Sequence, residues 1–140
     1  MTMMPSPDDL DFRARFEAGE VAPEEFNHRA HLRLAYVYLS EASVDIAMDR
    51  MRTALMGFLK RNGVPPGKYH ETLTRSWLLA VRYFMDKAVH AQSFDSFLRR
   101  DDRLLDTRIM LTHYRKDTLF SDAARAAFVA PDLQAIPPVT

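Results

Sequence analysis

An all-α fold, a single-domain bundle of five to seven helices, is what this sequence predicts. Three observations carry the prediction. Apolar residues recur at three-to-four spacing over several long stretches, the period of a helix. No run alternates apolar and polar residues for long enough to read as a strand. Capping residues and helix breakers fall between the periodic stretches, where they act as boundaries. With 140 residues, 47% hydrophobic and 27% charged, the chain suits one domain that buries its own core.

Residues 1–7 contain Pro5 and Pro7 and little that packs, and read as a flexible arm ahead of a helical domain over 8–140. Asp8 or Asp9 is the expected cap of a first helix that runs to about Ala18, with Gly19 as its stop. Phe12 and Phe16, four apart, give that helix one apolar face. Pro23 suits the first position of a single turn. Asn27 is the expected cap of a second helix over 28–41, with Phe26 as the apolar anchor before it. Ser43 opens a third, whose stripe of Val44, Ala47, Met48, Met51, Leu55 and Phe58 stops at Asn62-Gly63.

Val64-Pro65-Pro66-Gly67 is the clearest break, because two prolines and a glycine do not continue a helix. It delivers Tyr69 and His70 to the start of a fourth helix over about 70–90, striped by Leu73, Trp77, Ala80, Val81, Phe84 and Ala88. Ser93 or Asp95 is the expected cap of a fifth helix carrying Phe94, Phe97 and Leu98. Asp106 opens a sixth piece, Thr107 to Tyr114, and Ser121 a last short helix over Ala123 to Phe128. Pro131-Asp132-Leu133 then leads into an extended tail with Pro137-Pro138.

Composition removes several classes of function. There is no cysteine, hence no disulfide framework, thiolate metal site or cysteine nucleophile. Net charge is zero, which argues against nucleic acid as a partner. No apolar run approaches a membrane span, and the start has neither the basic nor the apolar region of a signal peptide, so a cytoplasmic protein is expected. With four glycines there is no phosphate-cradling loop.

What remains is a set of histidines. A helix turns about 100° per residue. With His28 at zero on the second helix, Arg29, Arg33, Tyr36 and Ser40 fall at about 80–140°, the expected wet side. His31 falls at about 300°, near the middle of the apolar arc, and Tyr38 is also on the inner arc. On the fourth helix, His70 and Thr74 continue the apolar stripe, while Glu71 sits at its rim beside Arg75 and Arg82. His113, with Tyr114 adjacent, falls between Ile109 and Met110 and is expected to face inward as well.

Buried imidazoles without partners cost several kcal/mol, so a stable protein must pair, hydrate or ligate them. Three arrangements answer this. His28, His31 and His70 are candidate metal ligands for a divalent zinc, iron, manganese or nickel ion, with Glu71 or His113 as a fourth group. Alternatively the pocket is metal-free: His28, His31, His70 and Glu71 are the candidate proton carriers, and Tyr38, Tyr69, Thr74, His113 and Tyr114 the candidate ligand contacts. In the third arrangement the histidines are a hydrogen-bonded core network in a non-enzymatic interaction or regulatory module. The expected partner is a small molecule, and the composition leaves room for a homo-oligomer.

Three blocks of sequence resemble an uncharacterised family of small bacterial all-helical proteins. They are Phe26-x-His28-x-x-His31-Leu32, then Lys68-Tyr69-His70-Glu71-Thr72-x-Thr74, then His113-Tyr114-x-Lys116-Asp117 followed by Phe128-Val129-x-Pro131-Asp132-Leu133. The resemblance covers about residues 26–137 and implies a one-domain member. It brings no activity with it. Pro131-Asp132-Leu133 is expected to act as a C-terminal clasp across the bundle.

Overall fold

Side-chain caps set where the helices begin. In the computed structural model, which describes residues 2–88 and 90–136, Asn27 accepts from the Ala30 amide and starts α2 (His28–Glu41). Ser43 accepts from Ile46 and starts α3 (Val44–Arg61), and Ser93 accepts from Ser96 and starts α5 (Phe94–Arg100). These three caps are those the sequence predicts. α1 (Pro7–Glu17) differs: Ser6, not Asp8 or Asp9, is its cap. The Ser6 hydroxyl accepts from the Asp9 amide at 3.1 Å and the Asp9 carboxylate accepts from the Ser6 amide at 2.9 Å, a reciprocal capping box. Gly19 (φ 79°) and Gly63 (φ 67°) end α1 and α3 in the left-handed region, which glycine enters without a Cβ penalty.

α4 covers Glu71–Lys87, ending short of the expected residue 90. Beyond α5 the chain breaks into short pieces: 3-10 turns at Asp102–Leu105 and Thr107–Ile109, then α6 (Met110–His113), α7 (Lys116–Leu119) and α8 (Asp122–Ala126). The described residues therefore hold eight α-helices, all-α as expected, but more than the five to seven predicted. Segments of four or five residues are too short for an apolar period to register.

Packing is centred on α2. It meets α1, α3, α4 and α5, so every residue from Leu34 to Leu39 is buried. A helix covered on all sides needs no polar face. Tyr36, expected on the wet side, is buried with its ring against Phe94 and Phe97, at centroid distances of 5.8 and 5.0 Å. The angular reading fails there because α5 covers that side.

Tyr36 also donates to the Met4 carbonyl at 2.6 Å. Thr2–Met3 pairs in parallel with His90–Ala91, and the Met4 amide donates to the Ala91 carbonyl at 2.9 Å. The arm expected to be loose is thus tied down from residue 2. Two-residue strands of this kind leave no alternating pattern to read. Asp9 anchors the same region. Its carboxylate accepts from the Phe94 amide at 2.8 Å and from Arg33 at 2.8 Å as well as from Ser6. Burial would raise its pKa, but these hydrogen bonds outweigh that and hold the carboxyl below its ordinary value.

The C-terminal clasp forms. The Asp132 carboxylate accepts from the Arg115 amide and the Thr118 hydroxyl, and the Leu133 amide donates to the His113 carbonyl. Thr72 of α4 donates to the Ala127 carbonyl and accepts from the Val129 amide, tying the strap to the helix beneath it. The expected tail at Pro137-Pro138 lies outside the described residues. Among the described residues no helix is long and apolar enough to cross a membrane.

Candidate functional site

The Val64-Pro65-Pro66-Gly67 break becomes a 3-10 turn, Pro66–Lys68, and an extended Tyr69. It brings the start of α4 beside the start of α2 and the end of α3. A cleft of about 360 Å³ opens where they meet. Phe26, Asn27, His28 and His31 line it from the entry to α2, and Leu55, Phe58 and Leu59 from α3. Lys68, Tyr69, His70, Leu73, Thr74 and Trp77 line it from the entry to α4. The convergence of the two histidine stretches is therefore real, and His28, His31, His70, Tyr69 and Thr74 share one cleft.

The hydrogen bonds divide these residues by role. His28 donates from Nε2 to the Leu104 carbonyl at 2.9 Å, and its ring meets Trp77 edge-on at 4.5 Å. His70 is committed at both nitrogens. Nε2 donates to the Leu119 carbonyl at 2.7 Å, and Nδ1 accepts from the Leu73 amide at 3.1 Å. This second bond makes His70 the N-cap of α4, not a member of its stripe. One donor and one acceptor is the pattern of a neutral imidazole. Burial and the nearby Arg125 charge lower the His70 pKa, against the opposing pull of the Leu119 carbonyl.

His31 is different. Among the described residues neither of its ring nitrogens has a hydrogen-bond partner, and no buried side-chain nitrogen or oxygen lacks one. Its two nitrogens are thus open at the cleft, where His28 has only Nδ1 free. The ring is crowded on its other sides, with Phe26 at a centroid distance of 5.8 Å. Burial, reinforced by His28, pushes its pKa down to about 4.

Glu71 does not enter the cleft. Arg52 holds it in a two-pronged ion pair, Nε to Oε1 at 3.0 Å and Nη2 to Oε2 at 2.6 Å, and Tyr69 donates to Oε1 at 2.7 Å. The Arg52 bonds keep the carboxyl below its ordinary value. Tyr69 lines the cleft with its ring while its hydroxyl is spent on Glu71; burial and that bond raise its pKa. Thr74 donates to the His70 carbonyl at 2.8 Å.

Three expected contacts lie elsewhere. Tyr38 donates to Glu17 at 2.5 Å, on the side of α2 that meets α1. His113 donates from Nδ1 to the Gln134 carbonyl at 2.7 Å, within the clasp. Tyr114 donates to the Val129 carbonyl at 2.6 Å and pairs with Ser76 at 3.1 Å. Tyr38 and Tyr114 are buried against other neighbours, and His113, expected to face inward, is only half-buried, because phase gives a direction and not a partner.

These placements also correct the metal arrangement. His70 has no free nitrogen, His28 has one engaged, and Glu71 is turned to Arg52. Among the described residues no group of three or more His, Asp or Glu is placed to hold a metal ion. The apolar wall of Phe26, Leu55, Phe58 and Leu59 is what the sequence reading missed. Leu55 and Phe58 belong to the third-helix stripe, which ends opposite the two histidine stretches. No family model, curated protein or solved structure matches this chain.

Proposed function

We propose that the cleft is a binding site for a small, largely apolar molecule that His31 recognises through a hydrogen bond. The observation that carries this reading is an imidazole with both nitrogens free, facing a cleft walled by aromatic and aliphatic side chains. A volume of about 360 Å³ falls within the roughly 300–1,000 Å³ of small-molecule sites. A neutral imidazole offers one donor and one acceptor, enough to orient a ligand bearing a single polar group.

Recognition is favoured over proton transfer. A general base works best with a pKa near the operating pH. With a pKa of about 4, His31 is protonated in only about one molecule in a thousand at pH 7 and has little appetite for a second proton. Glu71 is held by Arg52 as a carboxylate on the rim. Three of the other histidines, His28, His70 and His113, each donate to a backbone carbonyl and fit the structural network.

Trp77 is the single tryptophan and lines the cleft, so its emission reports occupancy. Titration with phenol, an aromatic ring with one hydroxyl, is expected to change that emission saturably. Toluene, the same shape without the hydroxyl, should bind more weakly, and His31→Phe should erase the difference. No saturable response to either probe would overturn the reading.

A further inference from the structure

The charges around the cleft narrow the chemistry of its occupant. Lys68 lines it and is exposed, and among the described residues it forms no ion pair. No aspartate or glutamate lines the cleft. The nearest acidic side chain in sequence, Glu71, is neutralised by Arg52.

The cleft between α1 and α3, about 500 Å³, sets Arg50 and Arg61 against Glu17 and Asp49, so its charges cancel. In the histidine cleft the lysine is unanswered. Both caps, Asn27 and His70, also line it, which places the positive N-terminal ends of two long helices at the same opening. His31 adds a neutral imidazole with an N–H to donate to an anion.

We propose that the occupant is an amphipathic carboxylate. Its aromatic or branched aliphatic body lies against Phe26, Leu55, Phe58 and Trp77, and its carboxylate is met by Lys68 and His31. This deepens the reading of the cleft as a small-molecule site and rests on it. At neutral pH His31 stays neutral and donates one N–H to the carboxylate, as in its recognition of a single polar group.

Titration calorimetry of the full chain at pH 7 tests this with two probes of one shape, 3-phenylpropionate and its uncharged amide. The carboxylate should bind about tenfold more tightly than the amide. Lys68→Met should cost the carboxylate about fivefold in affinity and leave the amide within about twofold, since Lys68 is exposed and its loss does not disturb packing. Equal affinity for the two probes, or an equal effect of Lys68→Met on both, would overturn the carboxylate assignment and leave the apolar site standing. If neither probe binds, both readings fall.

Discussion

His70 joins Leu119 across 49 residues of sequence: its Nε2 donates to the Leu119 carbonyl at 2.7 Å while its Nδ1 caps α4. The side chain therefore fastens the start of α4 to the end of α7, and the two functions are separable. His70→Asn keeps a good capping group and loses the bond to Leu119, at an expected cost of about 1 kcal/mol. His70→Ala loses the cap, the long-range bond and the packing, at about 2–3 kcal/mol. Urea unfolding at pH 7.5 measures both. Equal losses for the two variants would mean that the cap contributes nothing.

Because the folded state holds His31 and His70 neutral, stability should depend on pH in one direction. Both pKa values are lowered from the ordinary 6.5, His31 to about 4. Below 6.5 the unfolded chain binds protons that the folded chain does not, so stability rises with pH. The contribution is complete above about 6.5 and is lost as pH falls toward 4. For His31 the shift corresponds to no more than about 3 kcal/mol, and solvent in the open cleft screens part of it. Urea midpoints should fall between pH 7.5 and pH 5, and His31→Phe should flatten that slope.

The site was legible in the sequence to the extent that helical phase and chain breaks could carry it. In the sequence His28 and His31 fall on the apolar arc of one helix and Thr74 on that of another, and the Pro65-Pro66-Gly67 break turns the second stretch toward the first. What phase cannot supply is how each polar atom is satisfied. A buried imidazole reads alike whether it caps a helix, as His70 does, or stands open to a cleft, as His31 does. The same limit misplaced Tyr36, since only the folded arrangement shows that α5 covers it. The short helices after α5 escaped because one turn has no period.

Asp9 should prove one of the more sensitive polar positions in the core. Its carboxylate accepts from the Phe94 and Ser6 amides and from Arg33 while only 3% exposed. Asp9→Ala leaves two backbone amides and a guanidinium without their partner, at an expected cost of about 3 kcal/mol. Hydrogen exchange should locate the damage at the start of α1 and at the start of α5, the two backbone segments this carboxylate joins. Loss of protection spread evenly over α2 and α3 would contradict this role.

Glu71 separates a structural carboxylate from a catalytic one. It is bound to Arg52 and Tyr69 at the rim and does not line the cleft. Glu71→Gln keeps the shape and one acceptor for Tyr69, while Arg52, partly exposed, recovers hydration. The expected cost is about 1 kcal/mol, typical of a partly exposed ion pair. Affinity for phenol should stay within about threefold of wild type, because the Tyr69 ring keeps its place in the wall. His31→Phe should do the opposite, sparing the fold and removing the hydroxyl preference. Were Glu71→Gln to abolish binding while leaving the urea midpoint unchanged, the carboxylate would have to reach the ligand directly, and the division of roles between rim and cleft would be wrong.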